Sequence, residues 1–120
     1  MAMDDGESPR RGEIWLVDFD PAAGSEIAKR RPAVVVNDDA VGRLPLRIVV
    51  PITDWKERYE DFVWFTRLAP TSDNGLLKIS GADSFQVKSI SIRRFQRCLG
   101  RVTAWQLKNI VDAIALCIGV

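Results

Sequence analysis

The stretch of sequence that decides the fold runs from residue 11 to residue 37 and reads RGEIWLVDFDPAAGSEIAKRRPAVVVN. Its first part, Glu13 to Phe19, is predicted to form a strand. Because side chains alternate between the two faces of a strand, Trp15, Val17 and Phe19 would lie on one face. Its last part, Ala33 to Val36, is a continuous apolar run, which is typical of a strand buried on both sides. We therefore expect two core strands, with Trp15 packed inside.

A loop separates these two strands. Pro21 and Gly24 interrupt the first strand, and the small residues around them leave the loop free to move. Pro32 begins the second strand and holds the preceding Arg31 in an extended backbone. The loop closes with the basic residues Lys29, Arg30 and Arg31. Because a guanidinium binds phosphate oxygens bidentately and stays charged at physiological pH, we predict a phosphate-handling site in which Arg31 is the best-anchored charge.

The rest of the chain has the composition of short strands followed by one helix. Four further strands are predicted, at Arg47 to Thr53, Phe62 to Arg67, Leu76 to Ile79 and Ser84 to Ile92. The helix begins after a capping box formed by Thr103 and Gln106, and Gly119 ends it. Its apolar stripe consists of Leu107, Ile110, Val111, Ile114, Cys117 and Ile118. The predicted fold class is mainly β with a C-terminal helix, in a small SH3-like barrel or curled sheet.

Length and composition are those of a single domain. With 120 residues, of which 47% are hydrophobic, the chain has enough apolar side chains for one compact core. We expect a flexible acidic tail at residues 1–9 and one folded domain at residues 10–120. Without that tail, 17 basic residues and 13 of the 16 acidic residues remain, which is a net charge of +4. The basic residues are clustered, as phosphate binding requires, although each cluster alone also fits a solvated loop.

Composition also argues against several classes of protein. No apolar run is long enough to span a membrane, and residues 1–9 lack the apolar stretch of a signal peptide, so we expect a cytoplasmic protein. The chain has no histidine and only two cysteines, Cys98 and Cys117, which fit neither a disulfide framework nor a zinc site. We therefore expect neither a bound metal nor a cofactor.

Six short motifs follow one another along the chain. They are GEIW at residues 12–15, DPAAGSE at 20–26, RPAVVV at 31–36, VVPIT at 49–53, NGL at 74–76 and QVKSI at 86–90. With the C-terminal helix, this pattern over residues 11–119 resembles the MazF/PemK family of toxin endoribonucleases. The resemblance implies the small barrel of the MazF, PemK and CcdB toxins, a homodimer, and a cognate antitoxin as partner. One residue departs from the pattern, because Phe85 stands where many relatives carry an aspartate before the glutamine.

The resemblance also implies an activity and an active site. The activity is sequence-specific, metal-independent cleavage of single-stranded RNA by an mRNA interferase, the toxin of a type II toxin–antitoxin system. By this resemblance, Arg31 is the cation over the reacting phosphate, Thr53 holds the scissile phosphate, and Glu26 accepts the proton. Simpler interpretations stay open at this point: Arg31 pairing with Asp54, Thr53 merely ending its strand, and Glu26 as an exposed loop carboxylate.

Five further residues are candidates for RNA binding: Lys29, Arg30, Gln86, Lys88 and Trp55. Gln86 and Lys88 are predicted on the same side of one strand, where Gln86 would read a base edge and Lys88 contact a phosphate, although a polar strand face turned to solvent accounts for both equally well. Trp55 would stack on an unpaired base, as single-strand binders require, or else pack in the core or a dimer interface. Two other functions remain as alternatives: a non-catalytic toxin that poisons DNA gyrase, and an RNA-binding module without cleavage.

Overall fold

The computed structural model of the protein describes residues 8–41 and 44–120, which form seven strands and one α-helix. The elements are β1 Glu13–Asp18, β2 Arg30–Val35, β3 Leu46–Asp54, β4 Phe65–Leu68, β5 Ser80–Asp83, β6 Lys88–Ser91, β7 Phe95–Arg101 and α1 Ala104–Cys117. Short 3₁₀ turns lie at Asp39–Val41, Glu57–Asp61, Ser84–Gln86 and Ile92–Arg94. The predicted fold class, mainly β with a C-terminal helix, is confirmed. Residues 1–7 of the predicted acidic tail lie outside the described residues.

The strands pair antiparallel in the order β4, β5, β3, β2, β1, β7, while β6 pairs with the first half of β3. The sheet curls until the segment after β4 meets β7, where the Arg101 amide donates to the Asp73 carbonyl at 2.9 Å. Gly75 and Gly100 lie at this meeting point. A Cβ on Gly75 would overlap the Leu99 carbonyl oxygen, and one on Gly100 would overlap the Asp73 carbonyl oxygen. The NGL turn therefore closes the curled sheet because glycine leaves room for two backbones to touch.

Two apolar clusters cover opposite faces of the central strands. The first lies under the helix and contains Ile14, Val34, Val36, Val50, Ile52, Leu68, Leu76, Ala82, Val102 and Ile110. The second contains Trp15, Val17, Phe19, Ala33, Val35, Val49, Ile90 and Phe95. Trp15 packs edge-on against Phe95, with 5.9 Å between the ring centroids, so its predicted place in the core is confirmed. Because β1 to β3 are buried on both faces, they form the rigid centre of the molecule.

The C-terminal helix confirms its predicted start. The Gln106 amide donates to Thr103 Oγ1 at 3.1 Å, and the Thr103 amide donates to Gln106 Oε1 at 2.9 Å, which completes the capping box. The helix ends two residues before Gly119, whose φ of +81° is the left-handed conformation that glycine favours. Its apolar stripe packs on the first cluster through Leu107, Ile110, Val111 and Ile114.

The structure departs from the predicted strands in the second half of the chain. The strand expected at Leu76 to Ile79 forms at Ser80–Asp83 instead, and Leu77 is 95% exposed. The segment expected as a strand from Ser84 to Ile92 begins as a 3₁₀ turn and is a strand only at Lys88–Ser91. The sequence pattern does not predict β7, because most of its residues are polar and exposed.

Tertiary packing explains the shift to the small residues of β5. A Cβ on Gly81 would lie 2.9 Å from the Phe65 ring and 3.0 Å from the Trp55 ring, so only glycine fits beneath these two rings. Ser84, just after the strand, is fully buried, and its hydroxyl donates to the Ile110 carbonyl of the helix at 3.1 Å. Contacts with distant residues therefore override the weak strand propensity of this segment.

Candidate active site

Arg31 and Thr53 meet on the face of the sheet that carries the second cluster. In the pairing of β2 with β3, Ala33 lies opposite Pro51 and Val34 opposite Val50. The same register, continued by two residues from the Ala33–Pro51 pair, puts Arg31 opposite Thr53. Arg31 Nη1 donates to Thr53 Oγ1 at 3.2 Å. The structure thus brings together the two residues that the sequence motifs single out.

The alternative pairing of Arg31 with Asp54 is not what the structure contains. Asp54 follows Thr53 on β3, so its side chain points to the opposite face of the sheet. Its carboxylate lies 3.7 Å from Lys78 Nζ, with both side chains mostly exposed. Arg31 is therefore free of carboxylate partners among the described residues.

The guanidinium of Arg31 is held in place and still has donors to spare. Arg31 Nε donates to the Ala28 carbonyl at 3.1 Å, and Nη1 donates to Thr53. An arginine has five N–H donors, so three N–H groups have no acceptor among the described residues. The side chain is half-buried. This arrangement suits the binding of a phosphate, because the fork is oriented before the ligand arrives.

The loop between β1 and β2 is fastened at its base. The Phe19 amide donates to the Lys29 carbonyl at 2.9 Å, and the Lys29 amide donates to Asp20 Oδ1 at 2.9 Å. Arg94 Nη1 reaches the carbonyls of Asp18 and Asp20 at 3.1 and 2.5 Å. The Asp20–Pro21 peptide bond is cis, and Lys29 has a φ of +69°. These contacts place the exposed Lys29 side chain at the end of the loop.

Arg30 does not share the face of Arg31. It alternates with Arg31 along β2 and lies opposite Asp18 of β1, so its side chain belongs to the other face of the sheet. Of the basic run that closes the loop, Arg31 is the residue placed directly against Thr53.

Glu26 lies at the tip of the same loop. Its backbone amide donates to the Ala23 carbonyl at 3.1 Å, and Glu26 Oε1 accepts from the Ala23 amide at 3.2 Å. Glu26 Oε2 lies 3.6 Å from Lys88 Nζ. Lys88 in turn pairs opposite Val49 of β3, on the face that carries Thr53. An ion pair this exposed contributes at most about 1 kcal/mol to stability, so its main effect is to orient the Glu26 carboxylate.

Gln86, which is distant in sequence, holds the tip of the loop through its side-chain amide. It belongs to the 3₁₀ turn Ser84–Gln86 and not to the strand of Lys88, which corrects the prediction that both side chains project from one strand. Gln86 Oε1 accepts from the Ile27 amide at 2.5 Å, and Gln86 Nε2 donates to the Ser25 carbonyl at 3.3 Å. A separation of 59 residues joins Gln86 to Ile27, so no local sequence signal indicates this contact.

Asp83 is a positioning residue that sequence reasoning left without a role. Its carboxylate caps the 3₁₀ turn, because Asp83 Oδ1 accepts from the Phe85 amide at 3.1 Å. Burial raises the pKa of Asp83, and hydrogen bonds from Phe85 and Gln86 oppose that rise. Asp83 therefore sets the turn that presents Gln86 to the loop.

Trp55 follows Thr53 by two residues and lies in a group of aromatic rings. Its ring is edge-on to Tyr59 at 5.7 Å and to Phe65 at 6.4 Å between centroids. The Arg67 guanidinium lies 6.0 Å from the Trp55 ring centroid, within the range of a cation–π contact. Trp55 is thus partly packed and partly exposed beside Thr53.

Two observations bear on cofactors and membranes. Across residues 8–41 and 44–120, no three histidine, cysteine or acidic side chains come together as a metal site would require. In the same part of the chain, no helix has the length and apolar character needed to cross a bilayer.

Comparison with known proteins identifies the family. The family model described as PemK-like, MazF-like toxin of type II toxin–antitoxin system matches residues 10–118. This chain belongs to that family. Endoribonuclease MazF9 of Mycobacterium tuberculosis strain H37Rv is 38% identical to this toxin over 113 residues, which cover 89% of the chain and 93% of MazF9. Endoribonuclease PemK of Escherichia coli is 50% identical over 44 residues, which cover 36% of the chain and 33% of PemK.

Solved structures show the same fold. MazF from Deinococcus radiodurans superposes on this toxin with a TM-score of 0.79 at 23% identity, over 94% of the chain and 98% of that structure. An endoribonuclease solved in complex with its cognate antitoxin, from a mycobacterial species, gives a TM-score of 0.74 at 18% identity, over 93% and 96% of the two chains. The predicted toxin fold is therefore confirmed, and the partner of a type II toxin is its cognate antitoxin.

Proposed function

We propose that this toxin is a sequence-specific endoribonuclease that cuts single-stranded RNA without a metal ion. The observation that carries the proposal is the Arg31–Thr53 pair, held on two core strands with three guanidinium N–H groups that have no acceptor among the described residues. MazF9, which is 38% identical to this toxin, is named as an endoribonuclease, in agreement with this function.

The reaction requires little from the protein, because RNA carries its own nucleophile. The 2′-oxygen attacks the neighbouring phosphorus, a new bond from that oxygen to phosphorus forms, and the bond from phosphorus to the 5′-oxygen breaks. One group must accept the proton of the 2′-hydroxyl, one must return a proton to the 5′-oxygen, and donors must stabilise the charge on the phosphorane. A chain without histidine must fill these roles with other side chains.

Arg31 supplies the donors for the phosphorane. Two hydrogen bonds fix the guanidinium and leave three N–H groups without an acceptor in the described part of the chain, so little reorganisation is needed when charge develops on the phosphate oxygens. Thr53 orients Arg31 and offers its own hydroxyl to the same phosphate. Arg31 is not the base, because its guanidinium does not lose a proton in a protein.

Glu26 is the proposed proton acceptor. It lies in the loop whose Ala28 carbonyl binds Arg31, and Lys88 orients its carboxylate, whereas the other loop acid, Asp20, accepts from the Lys29 amide at the base of the loop. Closure of this loop over bound RNA would bring Glu26 to the 2′-hydroxyl and exclude water from the site.

The proposed RNA surface surrounds this centre. Lys29 and Lys88 contact phosphates, Trp55 offers a ring face to a base, and Gln86 acts through the loop tip that it holds. Arg30, on the other face of the sheet, contributes to the field that attracts RNA. We further propose that the toxin works in the cytoplasm as a homodimer, where exposed apolar side chains, of which Leu77 is the most exposed, are available to be buried between protomers.

The alternative of a gyrase poison is not favoured. The curated relatives MazF9 and PemK are named as endoribonucleases, and MazF1 is named as a probable endoribonuclease. One experiment separates the gyrase poison and the RNA-binding module from the proposal. The purified toxin is mixed with a long transcript in excess EDTA, and the new RNA ends are mapped. Cleavage at a repeated sequence supports the enzyme. Intact but retarded RNA would support the binding module. Intact RNA, together with blocked supercoiling in a separate gyrase assay that contains magnesium, would support the poison.

A further inference from the structure

Phe85 is an exposed aromatic ring beside the loop of the active site. It is the central residue of the 3₁₀ turn between β5 and β6, and 65% of its surface is exposed. It forms one wall of a pocket of about 380 Å³, whose other walls are Ser25, Glu26, Gln86, Val87 and Lys88. A volume of this size is within the range of small-molecule sites. An apolar ring thus faces a pocket whose remaining walls are mainly polar and charged.

The backbone that carries the ring is fixed by its surroundings. Its backbone amide is capped by Asp83 at 3.1 Å, and the preceding Ser84 is anchored to the helix by its hydroxyl, which donates to the Ile110 carbonyl at 3.1 Å. On one side the ring contacts Trp64, with 5.7 Å between centroids. The fixed backbone therefore holds the ring at the wall of the pocket, with its exposed side open to a ligand.

The pocket is joined to the proposed catalytic groups. Glu26 and Lys88 line it and lie 3.6 Å apart across its rim. The loop that carries Glu26 also provides the Ala28 carbonyl that binds Arg31. A ligand in this pocket would therefore lie beside Glu26, the proposed proton acceptor.

We propose that Phe85 is the stacking platform for one unpaired nucleobase of the RNA, close to the cleaved bond. The proposal rests on the function proposed above and adds a base subsite to it. An apolar ring face with a polar rim matches the chemistry of a base, whose faces are apolar and whose edges form hydrogen bonds. The Lys88 ammonium at the rim supplies the partner for a neighbouring phosphate.

The experiment combines a protein change with a base deletion. Once the cleaved sequence is mapped, an oligonucleotide is made with a 2′-deoxy nucleotide at the cut, which removes the nucleophile and prevents cleavage. Abasic nucleotides are then placed at each position in turn, and binding is measured by fluorescence anisotropy with the wild type, Phe85→Leu and Phe85→Trp. Leucine keeps the apolar volume but not the ring, and tryptophan keeps a ring. Trp105→Leu is the matched control, because Trp105 is equally exposed, at 70%, and does not line the pocket.

We expect one position where loss of the base weakens binding to the wild type by about tenfold, as deletion of a stacked base does. At that position the same deletion should have no effect on Phe85→Leu, since the stacking contact is already lost. Phe85→Trp and Trp105→Leu should behave as the wild type. Phe85→Leu should also relax the sequence preference at that base in the mapped cut sites.

Two results would overturn the subsite and leave the enzyme intact. One is Phe85→Leu binding every abasic oligonucleotide as the wild type does. The other is unchanged RNA binding with weakened antitoxin binding, which would assign Phe85 to the antitoxin interface. A wild-type toxin that cleaves no RNA would instead refute the proposed function itself.

Discussion

Thr53→Val tests the central pair with little change in shape. Valine replaces the hydroxyl by a methyl group of similar size and keeps the branched side chain that suits the strand. It removes the 3.2 Å bond that orients Arg31 Nη1 and removes the hydroxyl offered to the phosphate. Loss of a preorganised transition-state donor slows an enzyme by about two to three powers of ten, or roughly 3 to 4 kcal/mol.

The effect on stability should be far smaller. Both Arg31 and Thr53 are only half-buried, so water can replace the lost bond, and the free energy of unfolding should fall by about 1 kcal/mol or less. Thr53→Ser is the matched control, because it keeps the hydroxyl and should cleave at close to the wild-type rate. Single-turnover cleavage of a mapped oligonucleotide gives the rates, and urea unfolding gives the stability.

A double substitution tests whether the two residues act as one unit. Arg31→Lys keeps the charge and loses the fork that binds two phosphate oxygens. If Thr53 acts mainly by orienting that fork, adding Thr53→Val to Arg31→Lys should slow cleavage by no more than about threefold. Full additivity of the two losses would refute the orienting role. A Thr53→Val enzyme that cuts at the wild-type rate would remove Thr53 from the mechanism altogether.

Four other outcomes are expected. Cleavage should survive excess EDTA, and its pH profile should lack a histidine limb near neutrality, since the chain has no histidine; a strict magnesium requirement would contradict the mechanism. Gly75→Ala should lower the free energy of unfolding by more than about 3 kcal/mol, because the new Cβ would overlap the backbone of Leu99. Gly24 has a similar positive φ but lies in open space, so Gly24→Ala should lower it by only about 1 kcal/mol. Equal losses of stability in thermal melts would refute the packing argument. Gln86→Leu should speed amide exchange at Ile27, which donates to the Gln86 side chain, and unchanged protection would show that the loop holds itself. Asp83→Asn should stabilise the fold more at pH 7 than at about pH 3. Burial raises the pKa of Asp83 in the folded state, so the stability that its protonated form provides is lost as the pH rises from the unfolded pKa through the folded pKa. Urea melts of both proteins at the two pH values would show the same effect of the substitution if this is wrong.

Local sequence signals predict the elements whose side chains carry strong periodicity or capping chemistry. The central strands are continuous or alternating apolar runs, and the capping box of Thr103 defines the start of the helix. The signals fail where distant packing decides. In β5, Gly81 lies beneath the rings of Phe65 and Trp55. Gln86 binds Ile27 of a loop 59 residues away. Neither contact has a local signature, because each depends on which surfaces the fold brings together.

In the candidate site, too, local signals predict some features and tertiary packing decides the others. Alternation along β3 and the proline after Arg31 predict the faces and anchoring of the two residues, but only the register of β2 against β3 places Arg31 opposite Thr53. A slip by one residue would turn every side chain of β2 to the wrong face, and burial of both faces makes such a slip costly. The core therefore fixes the backbone positions of Arg31 and Thr53. Among the described residues, Glu26 is held by a short turn and an exposed ion pair, and Gln86 binds its neighbours Ile27 and Ser25. The proposed proton acceptor can therefore move with its loop while the phosphate site stays fixed.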